Sequence, residues 1–295
     1  MPSVERQGVR LAAVSPAPNK AMRISIVCYA GKEAQLKKTL ASLLMACVLP
    51  LRKQLLHAVE VVLIDNGPSY ADRVKIAALL RFGSELAVDG IALSMLGDGS
   101  NLGYGAGHNL AFAPSTNDFH LVLNPDVELA PDALFAALEF MATHRDCGII
   151  APAIFDREGN RQYLCKRYPT VFDLLIRGFA PRWARPLFQK RLANYEMRDV
   201  TGEEVVWDPP IVSGCFMFLR SSVLQKIEGF DPNYFLYFED FDLSLRAAEI
   251  SKIAYVPAVQ IVHYGGYAAR KGFRHICMFI RSAITFFNAH GWKWI

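Results

Sequence analysis

The sequence predicts an α/β fold: an open, largely parallel sheet flanked by helices. Three observations carry that expectation. Short β-rich apolar runs alternate with stretches of helical spacing through the first half of the chain. Three of those strands end in polar residues, at the edge where open sheets of this kind bind ligands. With 52% hydrophobic and 12% aromatic residues over 295 positions, the chain can bury a substantial core, which excludes a disordered protein.

Taken in order, RISIVCYA (23–30) is the first strand, and KEAQLKKTLASLLMAC (32–47) follows with apolar residues at helical spacing. VEVVLIDNG (59–67) reads as a buried strand, ADRVKIAALLRF (71–82) as a helix and IALSMLG (91–97) as a strand. NLGYGAGHN (101–109) reads as a glycine-rich turn. FHLVLNPD (119–126) is again strand-like. PDALFAALEFMATH (131–144) sets Pro131 near a helix start, where its missing N–H is harmless. In the second half GIIAPAIF (148–155), RQYLCKRYP (161–169) and IVSGCFMFLR (211–220) read as strands, while 170–200 reads as irregular and basic. EDFDLSLRAAEI (239–250) is a helix with Phe241, Leu245 and Ala248 on one face. KIAYVPAVQIVHY (252–264) is extended chain interrupted by Pro257.

A net charge of +4 gives no reason to expect a nucleic-acid partner. Its distribution says more. Residues 250–295 hold Lys252, Arg270, Lys271, Arg274, Arg281 and Lys293 without one Asp or Glu, and Arg177 to Arg198 contains Glu196 as its one acid. Six scattered cysteines show no CxxC pair, which fits a reducing compartment. The N-terminus carries Glu5, Arg6 and Arg10 with no apolar core, so no secretory signal is expected, and the longest apolar run, LASLLMACVLPL (40–51), falls short of a span. The expected location is cytoplasmic, peripheral on the inner face of the cytoplasmic membrane.

Chemistry is expected where the strands end. In NLGYGAGHN the glycines alternate, His108 takes the position a dinucleotide fingerprint needs, and the stretch follows the third strand, not the first; a nicotinamide site is therefore excluded. Asp65-Asn66, Asn101 and Asn124-Pro125-Asp126 close three strands. Singly, each reads as a turn former or cap; converging on one sheet edge, they favour a nucleotide site. Asp126 is the natural carboxylate ligand for Mg²⁺ or Mn²⁺ on a diphosphate.

The series LIDNG (63–67), NLGYGAGHN, LVLNPDVEL (121–129), GFDPNYFLYFEDFDLSLR (229–246) and YVPAVQIVHYGG (255–266) resembles the family 2 glycosyltransferases in order and spacing. More narrowly it resembles their bacterial rhamnosyltransferase branch, with CKRYPTVFDLL (165–175) and VVWDPPIVSGCFMFLR (205–220) adding to the match. The resemblance spans residues 22–290. It implies a GT-A fold, an open mixed, mainly parallel sheet flanked by helices, a nucleotide-diphospho-sugar donor, a divalent Mg²⁺ or Mn²⁺ and inversion at the anomeric centre. The implied donor is dTDP-rhamnose and the implied acceptor a lipid-linked glycan, as in O-antigen synthesis. The organisation expected is a flexible tail at 1–21 and one domain at 22–295. Within it, 22–126 forms the donor-nucleotide half, 127–270 the acceptor and catalytic half, and 271–295 a C-terminal amphipathic helix.

By that resemblance Asp65 and Asn66 hold the nucleotide, while Asn101, Gly103, Gly107 and Asn109 shape the donor pocket. Asn124 and Asp126 stand where relatives carry a DxD-type motif, Asp126 and His263 are the metal ligands, and Asp240 is the general base. Two departures stand out: the first acid of the metal motif is Asn124, and CYAGKEAQL (28–36) lacks the Tyr-Asn or His-Asn pair that relatives often place there.

Glu239, Asp240 and Asp242 fall in a first helical turn, where the helix dipole favours negative charge and is expected to keep Asp240 ionised against the aromatic wall of Tyr234, Phe235, Tyr237 and Phe238. Asp242 reads as a cap; Glu239 reads either as a cap or as a second catalytic carboxylate beside Asp240. Two other classes are weighed. A nucleotidyltransferase would need a glycine-rich, Arg/Lys-bearing loop after an early strand, and none is present. A non-catalytic nucleotide-sugar-binding protein is disfavoured because Asp126, Asp240 and His263 all stand.

Overall fold

The computed structural model describes residues 20–29, 33–67, 69–112, 117–179, 185–265 and 272–295. The expected N-terminal tail therefore lies outside the described residues, apart from Lys20 and Ala21. Strand β1 (Ala21–Cys28) is buried almost throughout, because it runs between β2 (Ala58–Asp65) and β4 (Phe119–Leu123), parallel to both. A strand covered on both faces has no use for alternation, which is why these segments read as continuous apolar runs. β3 (Ile91–Leu96) pairs parallel with β2 at the edge, where its burial is partial.

Helix α1 (Glu33–Arg52) continues five residues past the spacing read from sequence and carries Pro50 within its last turn. Its residues Leu36, Leu40, Leu43, Leu44 and Cys47 are buried at intervals of three and four, and the helix packs against α2 (Tyr70–Leu86) and α4 (Ala133–Thr143). With 20 residues and a mean hydropathy of 1.2 it is, among the described residues, the one helix long and apolar enough to cross a membrane, in contrast to the sequence reading. Here that apolarity covers one side of the sheet core.

Among the described residues the sheet is mixed and has ten strands, eight of them ordered β3-β2-β1-β4-β9 (Phe216–Arg220)-β6 (Cys147–Phe155)-β10 (Lys252–His263)-β5 (Val127–Leu129), with two short strands paired to β6 and β10. β9 runs antiparallel between β4 and β6. Its reversal delivers the preceding loop, Ile211 to Cys215, to the edge where the parallel strands end, and Asn124 N donates to Cys215 O at 2.9 Å. β10 runs parallel to β6, loses register between Val256 and Gln260 around Pro257, and then pairs antiparallel with β5. That bulge sets His263 opposite Val127, next to Asp126.

Several expectations are corrected. NLGYGAGHN is not simply a turn: Tyr104–Asn109 form a short helix, α3, with Gly105, Gly107 and His108 buried. Only Arg161–Gln162 of the strand expected at 161–169 pair as β7, and Lys166 makes a lone bridge with Ile211. The described residues of 170–200 are largely helical, with α5 (Val171–Phe179), a 3₁₀ turn (Arg185–Phe188) and α6 (Gln189–Tyr195). The missed signal is Thr170-x-x-Asp173: the Thr170 hydroxyl accepts from Asp173 N (3.0 Å) and Asp173 accepts from Thr170 N (3.1 Å), a reciprocal cap. β8 (Val206–Trp207) then adds to β10, and α7 (Ser221–Lys226) follows β9 directly.

Helix α8 (Glu239–Ala248) starts after two consecutive left-handed residues, Tyr237 (φ 71°) and Phe238 (φ 66°). For residues with a side chain this costs roughly 1–2 kcal/mol each. The aromatic cluster of Leu174, Tyr234, Phe238, Phe286 and Phe287 offsets it. In α8 the buried stripe is Leu243, Ser244 and Ala247; Phe241 and Leu245 lean on that cluster, and Ala248 is exposed. The cluster's other wall is α9 (Phe273–His290), which packs on α8 and α5; deleting the fully buried Phe286 ring would cost about 3–5 kcal/mol.

Candidate active site

Three groups of side chains meet at the edge where the parallel strands end. The first closes β2. Asp65 is 1% exposed; its Oδ1 accepts from Gly67 N (3.3 Å), and its Oδ2 lies 3.2 Å from Arg73 Nε, an ion pair whose alignment leaves that oxygen without a hydrogen bond. Arg73 is anchored by Gly97 O (3.0 Å). Asn66 is turned inward: its amide donates to Asn101 Oδ1 (3.1 Å) and Gly103 O (3.0 Å), and its oxygen accepts from Leu102 N (2.9 Å). Asn101 also accepts from Gly103 N at 3.1 Å. Gly103 has φ 88°, and a Cβ there would stand 2.2 Å from Phe235 O, so only glycine lets this loop touch the segment leading to α8.

Two expected donor residues are reassigned. Asn109 binds the Phe230 backbone on both sides, donating to its oxygen (2.7 Å) and accepting from its N–H (2.9 Å), so its amide is occupied by the fold. Gly107 is buried, with space for its Cβ filled by Val27 at 3.0 Å; it is a packing glycine between α3 and β1.

The second group lies at the β4–β5 turn and the end of β10. His263 Nε2 and Asp126 Oδ1 are 3.6 Å apart, and that buried carboxylate oxygen has no hydrogen-bond partner. His263 Nδ1 faces Gln162 Oε1 at 3.4 Å. Tyr264 N donates to Asp126 O at 2.9 Å, and a Cβ on Gly265 would sit 2.4 Å from His263 Nε2 and 3.2 Å from Asp126 Oδ2. An orphaned carboxylate oxygen facing an imidazole nitrogen, with the flank kept clear by glycine, fits a divalent cation that takes its remaining ligands from a diphosphate. No cluster of three or more His, Cys, Asp or Glu occurs among the described residues, which here bring the side chains of Asp126 and His263 together. Asn124 is half-buried beside them, its N–H engaged by Cys215.

The third group is the first turn of α8. Asp240 Oδ2 accepts from Gly214 N (2.9 Å) and Oδ1 from Phe241 N (3.0 Å), while Ser244 ties the Asp240 carbonyl to the loop at Val212. Burial raises the Asp240 pKa against these N–H groups and the nearby Lys166, which act to lower it. Beside the helix dipole, burial thus acts on this group in the opposite direction. Glu239, 5% exposed with Oε2 unpartnered, is pushed well up by burial and then by the Asp240 charge. Asp242 is no cap: it pairs with Arg246 (2.6 Å) and His290 Nε2 (2.8 Å), locking α8 to α9. The cap residue is Phe238, whose side chain makes no capping bond.

Three residues that sequence reasoning passed over complete this group. Tyr104 stands amid Cys215, Glu239, Asp240 and Asp126, all of which act on its phenol, and its hydroxyl donates to Gly214 O at 2.5 Å. Gly214 admits both: a Cβ there would meet Tyr104 at 3.2 Å and Asp240 at 3.3 Å. Lys166 is 4% exposed, and burial lowers its pKa to about 8, with Arg177 adding to the fall and Glu196 and Asp240 opposing it. Tyr104 lay in a quoted motif and Lys166 in CKRYP; a lysine inside a segment read as strand was the available signal.

Residues 24–227 match the family model for glycosyl transferase family 2. The chain is 29% identical over 283 residues to the N-acetylglucosaminyl-diphospho-decaprenol L-rhamnosyltransferase of Mycobacterium tuberculosis, covering 88% of this chain and 82% of that one. It is 26% identical over 187 residues to the rhamnosyltransferase WbbL of Escherichia coli, covering 59% and 66%. Among solved structures it is similar to GalNAc-T7 with UDP, GalNAc and Mn²⁺ (TM-score 0.58, 13% identity) and to Staphylococcus aureus TarS (TM-score 0.53, 15%). Each alignment covers 90% of this chain but only 48% and 40% of those chains, so the likeness is one of fold, the GT-A type.

Proposed function

The chain belongs to glycosyl transferase family 2, and from that premise we propose that it is an inverting transferase. In this reading it moves L-rhamnose from dTDP-rhamnose to a lipid-linked glycan in cell-surface polysaccharide synthesis, at the cytoplasmic face of the membrane. The observation that carries the chemistry is Asp240. It is a half-buried carboxylate, oriented by two backbone N–H groups and shifted upward in pKa, at the same sheet edge as the Asp126–His263 pair.

Asp240 takes the proton of the acceptor hydroxyl as that oxygen bonds the anomeric carbon, and the bond to the diphosphate breaks on the opposite side. Asp126 and His263 would hold a Mg²⁺ or Mn²⁺ ion, which supplies charge neutralisation to the departing diphosphate. Asp65 offers its unbonded Oδ2 to the nucleoside, and Asn66, Asn101 and Gly103 fix the wall around it. Burial raises the Glu239 pKa, which disfavours a second negative charge beside Asp240. The Mycobacterium tuberculosis relative is named for rhamnosyl transfer to a diphospho-decaprenol-linked sugar, and the GalNAc-T7 structure is named with UDP and Mn²⁺; both support the reading.

The second reading is a transferase of the same fold using another nucleotide sugar; one relative, 26% identical over 172 residues, is named more broadly as the low-salt glycan biosynthesis hexosyltransferase Agl10 of Haloferax volcanii. Calorimetry against dTDP-rhamnose, UDP-galactose and GDP-mannose, with and without Mn²⁺, separates the two. Tight, metal-dependent binding of dTDP-rhamnose is expected. A clear preference for either of the others would replace the donor, and equal binding in chelator would return Asp126 to a turn residue.

A further inference from the structure

The two basic runs in the sequence meet in the fold. Helix α9 turns Phe279, Ser282, Ala283 and Phe286 inward, where Phe279, Ala283 and Phe286 join the aromatic cluster. It leaves a second apolar stripe facing out: Phe273 (78% exposed), Cys277, Ile280 and Ile284, at steps of four, three and four. The exposed Arg274 and Arg281 flank that stripe. After the helix, Trp292 stacks on Phe287 and on Trp294, each at 5.1 Å, and Lys293 lies over the Tyr168 ring at 4.6 Å. This tail pairs with the start of α5, Val171 N donating to Lys293 O (2.8 Å) and Phe172 N to Trp294 O (3.2 Å). The exposed side chain of Phe172 therefore stands on the strip of chain that pairs with it.

Charge decides what can cover such a face. Residues 250–295 contain no acid, and neither does 177–195. Asp173 is buried against Arg191 (2.6 Å), and the helix's own histidines are engaged inward, His275 with Tyr237 and His290 with Asp242. A second copy laid face to face would oppose Arg274 and Arg281 to their own counterparts. An anionic bilayer surface instead accepts the arginines at its headgroups, the tryptophans at interfacial depth and the apolar stripe below.

We propose that the outer stripe of α9 with the Trp292–Trp294 tail docks the protein on an anionic lipid surface. This deepens the functional reading, on which it rests for its purpose, because α9 also grips the segment that carries Asp240. Ser282 donates to Leu236 O (2.8 Å), Tyr237 pairs with His275 (2.9 Å), and Asp242 pairs with His290. A docked α9 would hold the catalytic turn beside the surface from which a lipid-linked acceptor presents its sugar.

Flotation of the full chain tests it, with vesicles of phosphatidylcholine and phosphatidylglycerol in equal parts against phosphatidylcholine alone. The protein should float with the anionic vesicles only, and added salt should release it. Ile280→Glu with Ile284→Glu should abolish flotation while thermal melting and donor calorimetry stay unchanged. Arg274→Gln with Arg281→Gln should weaken binding roughly 25-fold. Wild type that ignores anionic vesicles overturns the proposal, as does a double glutamate variant that still floats. So does a dimer in sedimentation that this variant converts to monomer, since the face would then be a contact between copies. If the protein floats but binds no nucleotide sugar, the functional reading fails and the docking surface stands.

Discussion

The donor rim and the catalytic rim stand on one sheet edge and are built on opposite principles. Around Asn66, Asn101 and Gly103 the polar groups satisfy one another, and glycines with positive φ let backbone approach backbone. Around Glu239 and Asp240 a buried and a half-buried carboxylate stand on adjacent residues with their pKa values raised, and the turn before them is held in left-handed geometry. A satisfied network gives shape and stability. An under-compensated one gives reactivity, because burial that disfavours a carboxylate's charge also makes it a stronger base.

The largest effect should come from Asp240→Asn. The amide can still accept from Gly214, so fold and donor binding persist, while transfer slows at least about a hundredfold, within the range for losing a general base. Release of nucleoside diphosphate with acceptor present measures this, and near-normal turnover would remove Asp240 as base and erase the contrast between the rims. Asn66→Ala probes the donor rim and should act on stability and donor affinity together. It strips partners from Leu102 N and Gly103 O, costing about 1–3 kcal/mol in urea unfolding, with kcat little changed. A kcat loss as large as that of Asp240→Asn would merge the two rims.

Lys166→Met removes the buried cation that opposes the rise at Asp240. Glu239 and the phenol of Tyr104 also face this carboxylate, and Arg177 and Glu196 face Lys166. The acidic limb of kcat/KM should move to higher pH, lowering activity at mildly acidic pH by up to about tenfold, and Lys166→Arg should restore it in part. An unmoved limb would make Lys166 a packing residue. The smallest effect is on stability, from Glu239→Gln. Above the ordinary carboxylate pKa, and up to its raised value in the fold, the folded state keeps a proton that the unfolded state has released. Stability contributed by this group is therefore lost as pH rises across that window. The glutamine variant should melt higher than wild type at neutral pH and lose that advantage below the carboxylate range; a constant difference across pH would assign it to packing.

The parallel half of the sheet was legible because each buried strand announces itself as an apolar run ending in a polar residue, as at Leu63–Asp65 and Leu121–Asn124. Asp65, Asn101, Asp126, Asp240 and His263 were legible by motif and by place at strand ends. The structure brings Asp126 to His263 and Asp240 to the same edge. It gives Asn109 and Gly107 to packing and Asp242 to the α8–α9 lock. The helical content of 170–200 was hidden because its basic, proline-broken surface shows little periodicity, although the Thr170–Asp173 cap was readable. Which face of α9 turns inward was not legible, since a helix apolar on two sides does not say which side its neighbours take.

By itself the sequence determined the strand-and-helix alternation of the parallel half, the α/β class and the residue types at its strand ends, because these depend on local periodicity and on chemistry carried by neighbouring residues. Tertiary structure alone decided the insertion of antiparallel β9 and the register slip at Pro257 that seats His263 beside Asp126. It alone decided the convergence of Tyr104, Gly214 and Lys166 on Asp240. Those outcomes depend on contacts between segments tens of residues apart, and on burial. Burial raises the pKa of Glu239 and Asp240, and it is a property of surroundings that no stretch of sequence contains.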